Sequence, residues 1–202
     1  MNLQEPLDEN ALVIVLIGAS AVGKSAIASH LCESGIVEAT PTWTTRNHRR
    51  GELDTTYDHH FVTNAEFDAL DQEGSFIDQR SLYKARYGIP FPQRPSVGRE
   101  ALMVLKPVFI PVFLEHFPVA RIYQIEASPE VLPDRMRTRG QSQEDIDERM
   151  AHHESEASSA RHFAHVIFNN DGPLEQTLQQ VESQIRADRI SYDMQQVEDQ
   201  AA

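Results

Sequence analysis

ALVIVLIGASAVGKS, residues 11–25, is the stretch whose reading decides the fold. A nearly unbroken apolar run, Ala11 to Ile17, ends abruptly in Gly18-Ala-Ser-Ala-Val-Gly23-Lys24-Ser25, which fits the pattern G-x-x-x-x-G-K-[ST]. A buried strand before this pattern and a helix-forming stretch after it are the context in which it works as a phosphate-binding P-loop. Backbone N–H groups of the loop and of the following helix N-terminus converge on one place, where the helix dipole also favours negative charge. In this reading Gly18, Ala19, Ser20, Ala21, Val22, Gly23, Lys24 and Ser25 cradle a nucleoside triphosphate. Lys24 reaches the β- and γ-phosphates, and the Ser25 hydroxyl sits on Mg²⁺. Background composition alone would produce the eight-residue pattern in a chain of this length on the order of 1% of the time. A ligand-free, glycine-punctuated turn is therefore the weaker reading.

Composition bounds what the loop can serve. The 202 residues, 40% hydrophobic and 24% charged, favour one domain with a real core. A single cysteine, Cys32, excludes an internal disulfide framework and fits a reducing cytosol, so a cytoplasmic location is expected. The first ten residues, MNLQEPLDEN, are acidic and do not read as a signal peptide, and Ala11–Ile17 is too short to span a bilayer. A net charge of −13 argues against sequence-independent binding to nucleic acid or an anionic membrane. The expected partner is a small phosphorylated molecule, and the sequence carries no signal for an oligomeric state. An acidic chain that handles phosphates must gather its 18 Lys and Arg residues locally.

Along the chain, residues 1–10 read as a loose arm. A helix is expected from about Lys24 to Glu33, stopped by Gly35. Thr42–Glu52 is polar and basic, and Asp58–Val62 reads as a short strand. Thr63 and Glu66 form a capping box that opens a helix through Leu70. Phe76 to Gly88 reads as an edge strand or hairpin, and Pro90, Pro92 and Pro95 stiffen the connection that follows. Ala101–Leu105 and Arg121–Ala127 are further strands of the main sheet, with a short helix between them. Ser128 reads as an N-cap with Pro129 at the first helical position of a helix that carries Arg135 and ends near Gly140. Ser142 opens a charged helix to about Ala160. His165–Asn169 is a strand, Leu174–Ile190 a closing helix, and residues 191–202 a polar tail. Alternating strands and helices with a P-loop on the first strand imply an α/β fold, a parallel sheet sandwiched by helices. The Phe109–Phe117 stretch reads as core. The histidines at 59, 60, 152, 153, 162 and 165 lack zinc-ligand spacing and read as solvated.

With these residues in view, the chain resembles the guanylate kinases, P-loop nucleoside monophosphate kinases, over about residues 11–190. Four stretches carry the resemblance: GASAVGKS at 18–25, TTRNHRRGE at 44–52, FIDQRSLYKARYG at 76–88, and RMRTRGQSQEDIDER at 135–149 followed by FNND at 168–171. It implies an acceptor-binding insertion at about 41–95 and a lid at about 135–150, with ATP and Mg²⁺ as cofactors. Arg46 and Arg49 fall on positions that hold the acceptor's own phosphate, a task suited to arginine's planar fork. Tyr87 falls on a tyrosine that hydrogen-bonds the same phosphate, and Thr42 and His59 fall where a serine and a tyrosine are usual. Arg135, Arg139 and Arg149 correspond to catalytic arginines of the lid and core that close over the triphosphate and exclude water. The implied activity is transfer of the γ-phosphate of ATP to GMP or dGMP.

The departures from the family pattern lie in the acceptor pocket. Asp78 stands where a glutamate is usual, and Ile89 replaces a serine that bonds the base. Val104 and Lys106 occupy the two positions of a family D-x-D, which removes an expected acid near Mg²⁺. Loss of base-directed polar groups can change substrate preference by roughly 10⁴–10⁵. Two alternatives therefore stand beside GMP. One is a ribose 1,5-bisphosphate phosphokinase, whose family shares the scaffold, an apolar residue after Tyr-Gly and a turn like Asn169–Gly172, and whose acceptor would suit Lys106. The other is a non-catalytic binding module of the same fold, against which the intact Lys24 and Ser25 stand.

Overall fold

The computed structural model describes residues 7–48 and 57–201. In chain order its first half comprises β1 (Val13–Ile17), α1 (Lys24–Glu33), β2 (Val37–Ala39), β3 (Thr42–Thr44), β4 (His59–Phe61), α2 (Asn64–Gln72), β5 (Phe76–Leu82) and β6 (Ala85–Pro90). The second half comprises β7 (Glu100–Val104), α3 (Ile110–His116), β8 (Arg121–Glu126), α4 (Leu132–Thr138), α5 (Gln143–Arg161), β9 (Val166–Asn169) and α6 (Leu174–Ala201). A 3₁₀ turn, Pro107–Phe109, leads into α3.

Five strands form a parallel sheet in the order β2-β7-β1-β8-β9, with β1 at its centre. Every residue of β1 is buried, because helices or a second sheet cover both faces. The alternation of the strand divides its side chains between two cores. Leu12, Ile14 and Leu16 pack with Ile27 and Leu31 of α1, Met136 of α4 and Val181 and Ile185 of α6. Val13, Val15 and Ile17 pack with Met103, with Phe109, Phe113 and Phe117, and with Tyr87 and Ile89 of β6. An unbroken apolar run is what a strand buried on both faces requires, and Phe109–Phe117 is core as its composition suggests.

The second sheet, in the order β4-β3-β6-β5, is mixed: β3 and β4 run parallel, and β3–β6 and β5–β6 run antiparallel. It sits on the face that Ile89 seals. Ile89 is fully buried, so it contributes about 1.5–3 kcal/mol of apolar burial that a serine would forgo. The departure at this position is thus a packing choice as well as a lost polar group.

Several local expectations need correction. Ser128 is not a helix cap: its N–H and hydroxyl go to Asp171 at 2.6 and 2.5 Å, and α4 begins only at Leu132, with a proline in its first turn. The basic stretch after residue 41 begins with a strand, β3, that its polarity concealed. The closing helix does not stop near Ile190. Arg189 bonds Glu100 at 2.9 and 3.0 Å and Asp193 at 3.0 Å, and Tyr192 donates to Asn10 O at 2.8 Å, ties that carry α6 past Ile190, and the helix runs to Ala201. The described end of the arm is likewise held, since Leu7 N–H donates to Pro92 O at 3.1 Å. The capping box at Thr63 and Glu66 is present with both of its bonds. Among the described residues, no helix is long and apolar enough to cross a membrane.

Candidate active site

The loop between β1 and α1 has the backbone that phosphate binding demands. Gly18 has φ +140°, and a Cβ there would lie 2.2 Å from Ile125 O. Gly23, the residue before α1, has φ +108°, and a Cβ there would lie 2.3 Å from Asn170 Nδ2. Ala21 also takes a positive φ, 66°. Only glycine meets both demands at 18 and 23, a left-handed backbone and a neighbour at contact distance. No acidic residue occupies the first turn of α1, so its dipole faces the loop uncompensated. Lys24 folds back over the loop and donates to Gly18 O and Ala19 O at 2.7 and 2.9 Å.

A buried asparagine braces this loop from behind. Asn170 Nδ2 donates to Val22 O at 2.8 Å, its Oδ1 accepts from Thr177 Oγ1 at 3.2 Å, and its backbone O accepts from Arg135 Nη2 at 2.7 Å. Arg135 therefore ties α4 to the turn after β9.

In front of the loop one cleft is lined by four parts of the chain. The P-loop gives Gly18, Ser20, Ala21, Gly23, Lys24 and Ser25. The second sheet gives His59 and Tyr87, with Asp58 just ahead of β4. Arg139, Arg149 and Glu156 come from the segment spanning α4 and α5, and Val104 and Lys106 from the end of β7. Arg149 Nη1 donates to Ser20 Oγ at 2.7 Å, so an arginine of α5 touches the P-loop. Lys106 Nζ lies 4.9 Å from the ring centre of Tyr83 and 4.8 Å from that of Tyr87, and Arg149 lies 5.3 Å from Tyr83. Glu156 accepts the Tyr83 hydroxyl. Burial pushes the Lys106 ammonium down to about 8, with Lys24 and Arg149 acting in the same direction and Glu156 and Asp58 opposing. Burial and the bond to Glu156 hold the Tyr83 hydroxyl protonated well above the usual range.

On the side of the second sheet, Thr42 Oγ1 donates to Asp58 O at 3.0 Å and lies 2.6 Å from His59 Nδ1, and the His59 ring meets Tyr87 edge-on at 5.8 Å. Thr42, His59 and Tyr87 are thus one contact group. Arg46 lies against Phe61 and lines an adjoining cleft whose other wall includes Arg139 and Arg149, so those two arginines border both spaces. Arg49 lies outside the described residues. Asp78 is not in the cleft with Lys106: it pairs with Arg80 at 2.9 Å and sits opposite Ile89 in the β5–β6 ladder. Arg135 is also absent from the cleft lining.

Four residues with a place in this arrangement have no role in the sequence reading: Asp58, Tyr83, Glu156 and Asn170. Asn170 lies in the FNND stretch, and Tyr83 lies in FIDQRSLYKARYG, at the tip of the β5–β6 hairpin. Asp58 only adjoins a noted histidine, and Glu156 has no local signal. Asp58 could hold a metal together with Ser25, because its Oδ2 accepts the Ser25 hydroxyl at 2.6 Å. Two oxygen ligands of this kind suit Mg²⁺, which takes one or two carboxylates and completes its shell with phosphates and water. No group of three or more His, Cys, Asp or Glu side chains among the described residues forms a self-sufficient metal cage.

Comparison with known proteins gives a consistent outcome. A family model described as guanylate kinase matches residues 10–99. A guanylate kinase of Aromatoleum aromaticum is 30% identical over 186 residues, covering 89% of this chain and 90% of its own. One from Synechocystis is 30% identical over 177 residues, covering 82% and 88%, and one from Rickettsia typhi is 29% identical over 184 residues, covering 88% and 92%. The crystal structure of a guanylate kinase from Anaplasma phagocytophilum superposes with a TM-score of 0.64 over 90% of this chain and 87% of that one, at 22% identity, which is a likeness of fold.

Proposed function

The chain belongs to the guanylate kinase family, a family of nucleotide-binding phosphotransferases, and from that membership we propose that it transfers the γ-phosphoryl group of ATP to the phosphate of GMP or dGMP. One observation carries the reading: P-loop, acceptor sheet and lid side chains line a single cleft. An oxygen of the acceptor phosphate attacks the γ-phosphorus, and the bond to the β–γ bridging oxygen breaks, leaving ADP. Such a reaction asks the protein for positioning and charge compensation rather than covalent chemistry.

The residues divide that labour. The P-loop amides and Lys24 hold the β- and γ-phosphates. Arg139 and Arg149, bordering both spaces, draw the lid segment of about 135–150 over them and exclude water. Arg135 fixes the turn at Asn170. Within the insertion of about 41–95, Arg46, Arg49, Tyr87, Thr42 and His59 hold the acceptor phosphate, whereas Asp78, paired with Arg80, does not line this cleft. Ser25 would hold Mg²⁺, which when bound neutralises charge on the phosphate oxygens.

Ribose 1,5-bisphosphate is the second reading, and a specific observation favours it. Ile89 is committed to the core, Asp78 is paired with Arg80, and Lys106 stands among the cations of the cleft, where an additional phosphate would be welcome. An ADP-release assay with GMP, dGMP, AMP, UMP and ribose 1,5-bisphosphate separates the two. GMP and dGMP are expected to turn over; inert GMP and dGMP beside an active sugar bisphosphate would overturn the assignment.

A further inference from the structure

Among the described residues, two carboxylates line the cleft, Asp58 and Glu156. Glu156 is engaged with the Tyr83 hydroxyl. Asp58 reaches the P-loop itself, through the 2.6 Å bond from Ser25, and its other oxygen lies 3.4 Å from His59 Nε2. Its side chain is only 15% exposed. The strand beside β1 that leads into the cleft, β7, brings no acid to it, since its last residue, Val104, is followed by Leu105 and Lys106.

We propose that Asp58 is the protein carboxylate of the Mg²⁺ site, sharing the cation with Ser25 directly or through one water, so that the metal's acid is carried by the acceptor sheet. The inference rests on the ATP-donor reading above. Lys24, Lys106, Arg139 and Arg149 already bring positive charge to the cleft. Mg²⁺ beside substrate phosphates is commonly held by one or two carboxylates as well, and Asp58 is the described carboxylate of the cleft in contact with the serine of the P-loop. A hydroxyl and a carboxylate 2.6 Å apart are placed to turn lone pairs toward one cation when the proton between them moves aside. Asp58 is held for this: its backbone O accepts from Thr42 N at 2.9 Å and from Thr42 Oγ1 at 3.0 Å. The same threonine contacts His59, which touches Tyr87. Occupation of the metal site and docking of the acceptor sheet are then one event, a bridge through the cation replacing the bridge through the Ser25 proton.

The test reads metal binding without any acceptor. Mn²⁺ is titrated into the ADP complex of the full chain and followed by electron paramagnetic resonance. Asp58→Asn is expected to weaken Mn²⁺ about 10–100-fold while leaving ADP affinity in EDTA unchanged. Asp58→Cys is expected to shift preference from Mn²⁺ toward Cd²⁺, which a merely structural role would not do. Native Mn²⁺ affinity in Asp58→Asn, or a native Mn²⁺/Cd²⁺ ratio in Asp58→Cys, overturns the proposal. If neither variant keeps its thermal transition, the native chain labelled with ¹³C-carboxyl aspartate decides. A ¹³C coupling to ADP-bound Mn²⁺ is expected, and its absence overturns the assignment. Failure of the native chain to bind ADP at all would sink the donor reading and this inference with it, whereas failure of GMP as acceptor leaves these outcomes untouched.

Discussion

The two halves of the cleft are built on different principles. The donor half is made largely of backbone. Glycines at 18 and 23, a helix N-terminus and the Asn170 brace fix where amides point, and they leave no room for a Cβ. The acceptor half is made of side chains from β3, β4, β6 and the end of β7, brought together by the pairing of distant strands. Backbone geometry tolerates little change, so it keeps its motif; a side-chain pocket can be rewritten residue by residue. Every departure from the family pattern noted above falls outside the P-loop half: His59, Val104 and Lys106 line the cleft, Thr42 contacts His59, and Asp78 and Ile89 lie in the β5–β6 ladder.

The largest test of this contrast is Lys24→Ala. Loss of a cation aimed at the transferred group should cost about 10²–10³-fold or more in turnover with every acceptor, with the unfolding transition unchanged. An acceptor-dependent loss would break the division. Asn170→Ala comes next. It orphans the buried Val22 carbonyl and should destabilise the chain by about 1–3 kcal/mol in urea unfolding. The loosened loop should raise KM for ATP about tenfold and leave KM for the acceptor near native; equal effects on both would merge the halves.

How much of this was legible in the sequence follows the same line. The strand, loop and helix of residues 11–33 are contiguous, and their apolar run and glycines spell out the local physics. The capping box at Thr63 and the core role of Phe109–Phe117 are legible for the same reason. β3 was hidden because its residues are polar and its neighbours, β4 and β6, lie far along the chain. Ser128 misled because a serine followed by proline has the local form of a cap, while its actual partner, Asp171, is 43 residues away. Asp58 and Glu156 could not be found without knowing that the insertion and α5 face one cleft.

Lys106 sharpens the contrast through pH. Its ammonium is held at about 8, below the usual 10.5, so between these values the unfolded chain binds a proton that the folded chain does not. Stability from this group therefore rises with pH across that window, by at most about 3 kcal/mol. Lys106→Met should be more stable than the native chain at pH 7, and the gap should narrow by pH 10 in thermal melts. If the charge serves the acceptor's phosphate, native acceptor KM rises as pH passes 8, while the Lys106→Met value is higher at pH 7 and flat. ATP binding should follow neither trend.

The smallest expected effect concerns the hairpin tip that leans on α5. Tyr83 and Lys84 both have positive φ, 50° and 60°, in the two-residue turn between β5 and β6. Such turns favour asparagine and glycine, so two side chains in this backbone cost stability that must be recovered elsewhere. Tyr83 recovers it by bonding Glu156 and stacking on Lys106 and Arg149. Among the described residues no hydrogen bond or ion pair holds the Lys84 side chain, which borders the adjoining cleft. Lys84→Gly should then stabilise the chain by about 1 kcal/mol and leave turnover alone. Tyr83→Phe keeps the ring but cuts the tie to α5, and should slow turnover a few-fold while costing about 1 kcal/mol. A Tyr83→Phe enzyme with native turnover would reduce the hairpin tip to a structural turn. Slowed turnover in Lys84→Gly would instead mean that the left-handed backbone itself positions the acceptor sheet, giving that half of the cleft a backbone-built part after all.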